Sequence, residues 1–168
     1  MSNNTIEHQV FIQDIDREEQ DTLSIEVIKQ AVLATLWSEA VDVQCVVSVM
    51  VTDDEGFRGY NKKYRGIDKA TDVLSFPMQV FDHSGWSGIV SLEIDEDTGK
   101  LPLGDIIISS ESVRRQAEEY GNTVEYETAY LIIHSALHLL AYDHDNDSNE
   151  QAMHNRTKQI LKEAVNDK

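Results

Sequence analysis

Residues 123–144 read TVEYETAYLIIHSALHLLAYDH and combine an apolar helical run with three histidines. A helix is predicted from about Thr123 to Leu140. Its residues from Ala129 to Leu140 leave little polar surface on any side. A helix that is apolar nearly all round belongs in the core, because water would otherwise meet one of its faces. The rest of the fold is therefore expected to surround this helix.

The histidines of this stretch have the spacing of a metal site. His134 and His138 are four residues apart, which places both imidazoles on one helix face. His144 follows the predicted helix end, so the chain must turn there to bring it back. Burying imidazoles without partners is costly, and a shared ion removes that cost. The pattern predicts one Zn²⁺ held by these three histidines, with water in the fourth position as in catalytic zinc sites. Separate core or surface histidines are the alternative.

Short strands and further helices are predicted around this helix. Strands are predicted over residues 6–12, 42–52, 71–76 and 103–109, with 91–94 (SLEI) as a further arm facing the last of them. Four further helices are predicted. The first begins at Asp21, with Asp21 or Thr22 as its cap, and the second runs from about Asp54 to Tyr64. The third runs from a cap at Ser109 or Ser110 to a stop at Gly121, and the fourth runs from a Ser148–Gln151 capping box to about Val165. The mixed order favours an α+β fold, with one small mixed sheet packed with helices and one domain over 1–168.

Composition restricts the possible environment and partners. No stretch approaches the ~20 apolar residues that span a bilayer, and the N-terminus lacks a signal peptide pattern. Cys45 is the single cysteine, so no intrachain disulfide is possible. We therefore expect a cytoplasmic protein with no membrane association. The net charge of −17 argues against nonspecific binding of polyanions. Five cations nevertheless fall within a dozen residues: Arg58, Lys62, Lys63, Arg65 and Lys69. On charge pattern alone, these cations fit a solvated helix face equally well.

The three histidines also have the spacing of the metzincin proteases, HExxHxxGxxH. Position 135 is Ser, where those proteases carry the general-base Glu, and position 141 is Ala instead of Gly. Without that Glu, peptide hydrolysis lacks its proton acceptor. A metallopeptidase is therefore an alternative that the sequence disfavours.

Three blocks of the chain resemble a known family. HSALHLLAYDH (134–144) is similar to the HGxLHLxGYDH signature of the YbeY endoribonucleases. YNKKYRGIDKATDVLSFP (60–77) resembles the family's YRGxDxxTDVLSFP block, and LGDIIIS (103–109) resembles its LGDI strand. The resemblance covers most of the chain from about Val43 to Leu161.

The resemblance implies a zincin-like α+β fold with one zinc on the three histidines. It implies cleavage of single-stranded RNA, in 3′-end maturation of small-subunit (16S) rRNA and in ribosome quality control. The family's functional arginine falls on Arg65, whose planar guanidinium can hold a phosphate in bidentate fashion. RNA and a ribosomal or ribosome-assembly protein are the expected partners. A nonenzymatic assembly factor with a structural zinc is a further alternative.

Three matched carboxylates, Asp72, Asp105 and Asp143, are candidates for orienting the ligands or contacting substrate. The chain also departs from the family pattern. Ser135 and Ala141 replace glycines, and if position 141 needs a positive φ, Ala costs about 1 kcal/mol there. The segment 78–102 is long and acidic, and a solvated hairpin is favoured over a mobile flap.

Overall fold

The computed structural model of the chain describes residues 6–14, 23–66, 72–143 and 146–166. In chain order the elements are β1 (Gln9–Asp14), α1 (Ile25–Ser38), β2 (Cys45–Thr52), α2 (Asp54–Arg65), β3 (Val73–Pro77), β4 (Leu101–Ser109), α3 (Ser110–Tyr120), α4 (Val124–Leu139) and α5 (Asp147–Asn166). A short 3-10 helix, Trp86–Gly88, lies between β3 and β4. None of the helices in these ranges is both long and apolar enough to cross a membrane.

The four strands form one mixed sheet in the order β1-β2-β4-β3. β1 pairs with β2 and β2 with β4 in parallel, whereas β3 runs antiparallel along the other side of β4. The β-branched runs of β2 and β4 occupy the two central positions, where both strand edges are hydrogen-bonded. The predicted α+β class with one small mixed sheet is confirmed.

One face of the sheet is covered by helices. Val47, Val49, Ile106 and Ile108 point from the central strands into the main core, where α1 and α4 supply most of the opposing apolar side chains. Helix α4 contacts α1, α3, α5 and β3. The prediction that this apolar helix is buried is confirmed. Cys45 is also buried, and burial together with the charge of Asp42 raises the pKa of its thiol to about 12.

The opposite face of the sheet is only partly covered. Helix α2 packs across one end of it through a small cluster of Phe57, Leu74 and Ile107. The rest of that face forms an open groove. The two faces of the sheet therefore differ, because α1 and α4 cover most of one face and α2 covers only part of the other.

Several predicted element boundaries are confirmed and others are wrong. Ser109 caps α3 and Gly121 ends it in the left-handed conformation, as predicted. Helix α1 is capped by Ser24, while the proposed caps Asp21 and Thr22 lie outside the described residues. The capping box at Ser148 is wrong, because the Asn146 side chain accepts the Asn149 N–H at 2.8 Å and α5 already includes Ser148.

The predicted strand at SLEI, 91–94, is also wrong. These residues form no strand and are exposed. The reason lies in the sheet, since β4 is already paired with β2 on one edge and β3 on the other. A further arm would have no backbone groups of β4 left to pair with.

The segment that precedes SLEI covers the C-terminal end of α4. Phe81 and Ile89 form an antiparallel bridge, which agrees with the hairpin interpretation for the first half of 78–102. Gly85 N–H donates to the Leu140 carbonyl at 2.8 Å, and the Ser84 hydroxyl donates to the Ala141 carbonyl at 2.9 Å. Carbonyls at a helix C-terminus lack partners inside the helix, and here the hairpin supplies them.

Ala141 adopts a positive φ of 68°, the conformation that glycine adopts without strain. The Tyr142 N–H donates to the Leu137 carbonyl at 3.1 Å across this residue, so the turn has the hydrogen bonding of a glycine-capped helix end. The turn at Ala141 and Tyr142 thus has the usual hydrogen bonds of a helix end, and Ala141 bears the strain of the left-handed conformation.

We expect Ala141→Gly to raise the free energy of unfolding by about 1 kcal/mol, because the left-handed conformation costs an alanine roughly 1–2 kcal/mol and the added unfolded-state entropy of glycine offsets part of that gain. Urea denaturation measures the change. Ala152→Gly, on the exposed side of α5, is the matched control and should lower stability by about 1 kcal/mol. Destabilisation by both variants would contradict strain at Ala141.

Candidate active site

A cleft of about 430 Å³ lies where α4, β3 and the C-terminal end of α2 meet. It is lined by Arg65, Asp72, Val73, Leu74, Ser75, Pro77, His134, Ser135 and His138. These residues come from three separate parts of the sequence. The cleft therefore brings together two predicted metal ligands, the predicted catalytic arginine and one predicted orienting carboxylate.

His134 and His138 occupy consecutive turns of α4. Their ring centroids are 5.0 Å apart, with the ring planes at 79°. His144 lies outside the described residues, as does Asp145. Across the ranges that are described, no three His, Cys, Asp or Glu side chains come together as a metal-binding group. The predicted three-histidine set therefore remains a prediction, with two of its members side by side in the cleft.

β3 forms the wall of the cleft opposite the histidines. The Ser75 hydroxyl donates a hydrogen bond to the Ser135 carbonyl at 3.3 Å, which joins β3 to α4 beside the first histidine. Ser135 itself is fully buried. The wall and the helix are thus fixed relative to each other by packing and by this hydrogen bond.

Arg65 is the last residue of α2, and Gly66 ends the helix in the left-handed conformation with a φ of 69°. The Arg65 side chain is exposed at the cleft. Within the described part of the chain, no carboxylate lies within ion-pair distance of its guanidinium. Asp72 lines the same cleft, and one of its oxygens accepts the Val73 N–H at 2.8 Å.

The other two matched carboxylates lie elsewhere. Asp105 lines the groove on the open face of the sheet, and burial raises the pKa of its carboxyl. A bulge explains this position: Leu101 and Leu103 point into the main core, but the register shifts between Val46 and Val47, and the alternation of β4 reverses beyond it. Asp143 is exposed near the start of α5.

Sequence reasoning missed a pair of side chains next to His134. The Tyr130 ring stacks on the His134 ring with centroids 6.2 Å apart and planes at 16°. The Tyr130 hydroxyl is 2.5 Å from Nδ1 of His154 on α5. Tyr130 lies four residues before His134, so helical spacing was the signal that could have predicted this contact. Nothing in the sequence indicated the contact with His154, which depends on how α5 packs against α4.

A buried ion pair holds the chain where it leaves α4. Arg156 Nη2 lies 2.8 Å from Glu39 Oε2, and Arg156 also donates to the Ser38 carbonyl at 2.8 Å. Tyr142 packs beside this pair, and burial together with its hydrogen bond to Glu39 raises the pKa of its phenol to about 12. These contacts fix the position of Tyr142, which stands two residues before the predicted third ligand in the sequence.

We expect Glu39→Gln to lower the free energy of unfolding by about 2–3 kcal/mol, since the Arg156 charge would lose its carboxylate in a site where the two side chains are only 23% and 7% exposed. Thermal and urea denaturation measure the loss. Glu26→Gln, on an exposed turn of α1, is the matched control and should change stability by less than about 0.5 kcal/mol. Equal losses of unfolding free energy in the two variants would show that the ion pair does not stabilise the fold.

Comparison with known proteins identifies the family. The family model for endoribonuclease YbeY matches residues 10–165. The endoribonuclease YbeY of Clostridium kluyveri is 41% identical over 143 residues, covering 82% of this chain and 87% of that protein. That of Caldanaerobacter subterraneus is 43% identical over 134 residues, covering 80% and 83%. The solution structure of TM1509 from Thermotoga maritima, 26% identical, matches with a TM-score of 0.59 over 94% of this chain and 90% of that one. The predicted class of hydrolytic nuclease is confirmed, and the chain belongs to the endoribonuclease YbeY family.

Proposed function

We propose that this protein is a zinc-dependent endoribonuclease that cleaves single-stranded RNA, and that it acts in the cytoplasm on the 3′ end of small-subunit (16S) rRNA and in ribosome quality control. The observation that carries the proposal is the convergence of Arg65, His134 and His138 on one cleft. An exposed guanidinium opposite two neighbouring imidazoles is a suitable arrangement for a phosphodiester, because a cation and a metal can share its charge.

The donor set of the cleft fits zinc. Imidazole nitrogens are common zinc ligands, and residues four apart on a helix can share one ion. The two described rings lie 5.0 Å apart at a steep angle, so both can face a common point. We propose His144 as the third ligand, brought back by the turn at Ala141 and Tyr142. When bound, zinc supplies Lewis acidity and activates water for attack on phosphorus.

Arg65 is proposed to bind the scissile phosphate. Its guanidinium presents paired N–H donors that match two phosphate oxygens, and it remains charged at any physiological pH. No carboxylate competes for it among the described residues. As negative charge builds on the phosphate oxygens, Arg65 stabilises it more strongly than in the ground state.

The remaining cleft residues position these groups. Ser75 fixes the wall of β3 against α4 through the Ser135 carbonyl. Asp72 is the matched carboxylate that lines the cleft, and we propose that it orients either Arg65 or a ligand imidazole. Asp143, beside the predicted third ligand, is proposed to hold that turn. Asp105 has no such role in the cleft, because it faces the other side of the sheet.

Delivery to rRNA is proposed to involve a ribosomal or ribosome-assembly protein. A chain with net charge −17 is repelled by a polyanion at long range. The same charge attracts basic proteins, which can bring the cleft close to the RNA. This part of the proposal follows from the resemblance and from the charge together.

The two alternatives are less well supported. A metallopeptidase needs a general-base carboxylate after the first histidine, and Ser135 at that position is fully buried. A structural zinc in a nonenzymatic factor needs a fourth protein ligand to close the site. Zinc in stoichiometric amount without cleavage of any RNA would favour that second alternative.

We expect His138→Ala to lose both bound zinc and RNA cleavage, because the remaining ligands cannot hold the ion at the same affinity. Elemental analysis of the purified protein and cleavage of a single-stranded RNA are the two measurements. His83→Ala is the control, since His83 lies on the exposed hairpin with Asp82 and Ser87 as its partners. Zinc retained at wild-type stoichiometry in His138→Ala would contradict the ligand assignment.

We expect Arg65→Glu to retain zinc and to reduce kcat/KM for RNA at least about 100-fold, because a donor to the developing phosphate charge becomes an acceptor. Lys29→Glu, an exposed charge reversal on α1, is the control for the change of net charge and should cleave normally. Unchanged cleavage by Arg65→Glu would remove Arg65 from the mechanism.

A further inference from the structure

The open face of the sheet carries a groove of about 490 Å³. We call it the aromatic groove and define it by six of its lining residues: Phe11, Met50, Tyr60, Tyr64, Phe76 and Asp105. None of them lines the histidine cleft. The groove and the cleft are nevertheless neighbours, because β3 forms a side of both.

Strand alternation separates the two sites. Ser75 and Pro77 of β3 line the cleft, whereas Phe76 between them lines the groove. Strand β1 forms the other edge of the sheet. Its Val10 and Ile12 side chains pack against the main core, which leaves Phe11 on the open face. A strand of RNA crossing the edge at β3 would pass directly from one site to the other.

The rings in the groove are arranged as a stacking surface. Tyr60 and Tyr64 lie parallel within 5°, with centroids 6.2 Å apart, and Tyr64 meets Phe76 edge to face at 5.7 Å. Tyr64 is 57% exposed and Phe11 52% exposed. Adjacent exposed rings form a contiguous apolar patch, and such patches mark interaction sites on soluble proteins. Planar bases stack on such rings at about 1–3 kcal/mol each.

Positive charge lies at one end of the groove, where α2 ends. Lys63 Nζ lies 5.2 Å above the Tyr64 ring, and the last turn of α2 carries Lys62, Lys63 and Arg65. In a chain of net charge −17 this concentration of cations stands out. Aromatic rings bordered by cations are the surface that single-stranded nucleic acids recognise, with bases on the rings and phosphates on the cations.

We propose that the aromatic groove binds the bases of the RNA strand that flank the phosphate held in the cleft. The proposal rests on the proposed function and adds a second binding region to it. Tyr64 lines the groove and Arg65 lines the cleft, and both belong to the last turn of α2, so the two sites meet at that turn. The groove then gives affinity for RNA longer than the cleft alone accommodates.

Asp105 fits this arrangement as a contact to a base. A carboxylate among the rings repels phosphate, so phosphates stay at the rim, while its oxygens accept hydrogen bonds from exocyclic amino groups or ring N–H groups. An apolar basic peptide would also satisfy Asp105 and the rings. The cations of α2 disfavour it, because they would repel the same peptide at the rim.

The test measures RNA affinity on the zinc-loaded protein by fluorescence anisotropy, with labelled 2′-O-methyl oligoadenylates of three and nine nucleotides at one fixed salt concentration. Wild-type protein should bind the nine-mer at least about tenfold more tightly than the three-mer. Tyr64→Ala and Phe11→Ser should each weaken nine-mer binding about tenfold, the loss of one stacked base. Tyr64→Trp should restore it, and the loss should fall on KM for a long cleavable RNA more than on kcat.

Tyr120→Ala is the matched control, an exposed tyrosine at the end of α3 and 61% exposed. If wild-type protein cleaves RNA but both groove variants bind the nine-mer as tightly as wild type, the groove proposal is overturned and the proposed function stands. If wild-type protein neither binds nor cleaves RNA, the proposed function fails first. If the groove variants lose affinity only for a peptide of alternating Lys and Leu, the groove belongs to a protein partner and our proposal is wrong.

Discussion

Helix α4 is packed against β3 on one side and against α1, α3 and α5 on others, and the position of the site depends on that packing. Each large apolar side chain buried along it stabilises the fold by roughly 1.5–3 kcal/mol, so the helix cannot rotate without exposing several of them. The imidazoles of His134 and His138 then face the cleft beside β3. A fixed helix thus gives the two rings a fixed direction, which a metal site requires.

Strand β3 contributes to both the cleft and the aromatic groove, because helices cover only one face of the sheet completely. β3 is antiparallel to β4 and is bound closely to it at the pair of Pro77 with Gly104. Gly104 has a φ of 150°, and a side chain there would clash with the Phe76 carbonyl oxygen and with Leu139 of α4. The close approach of β4, β3 and α4 at this point therefore depends on Gly104. Because of this close packing, the single strand β3 forms a wall of the cleft with one side and a wall of the aromatic groove with the other.

The parts that sequence could predict are those set by local periodicity. The four-residue spacing of His134 and His138 and the apolar surface around them were sufficient to predict a buried helix with paired imidazoles. The failures came from pairing between strands. SLEI has the composition of a strand, yet no free edge of β4 remains for it. Sequence periodicity also did not show which face of the sheet Asp105 occupies, because an extra residue in β4, Leu103, reverses the alternation of that strand.

The net charge of −17 and an RNA substrate are compatible when the charges are considered locally. At physiological salt, charges are largely screened beyond ~8 Å, so the potential in the cleft is set by its neighbours and not by the whole chain. Arg65 lines the cleft, and Lys62 and Lys63 precede it in the last turn of α2, where all three cations also offset the negative end of the α2 dipole. Part of their charge is therefore not available to a ligand, so the proposed metal ion and the proposed stacking on aromatic rings would have to supply more of the affinity. Binding that depends less on cations should also vary less steeply with salt than that of a basic RNA-binding protein.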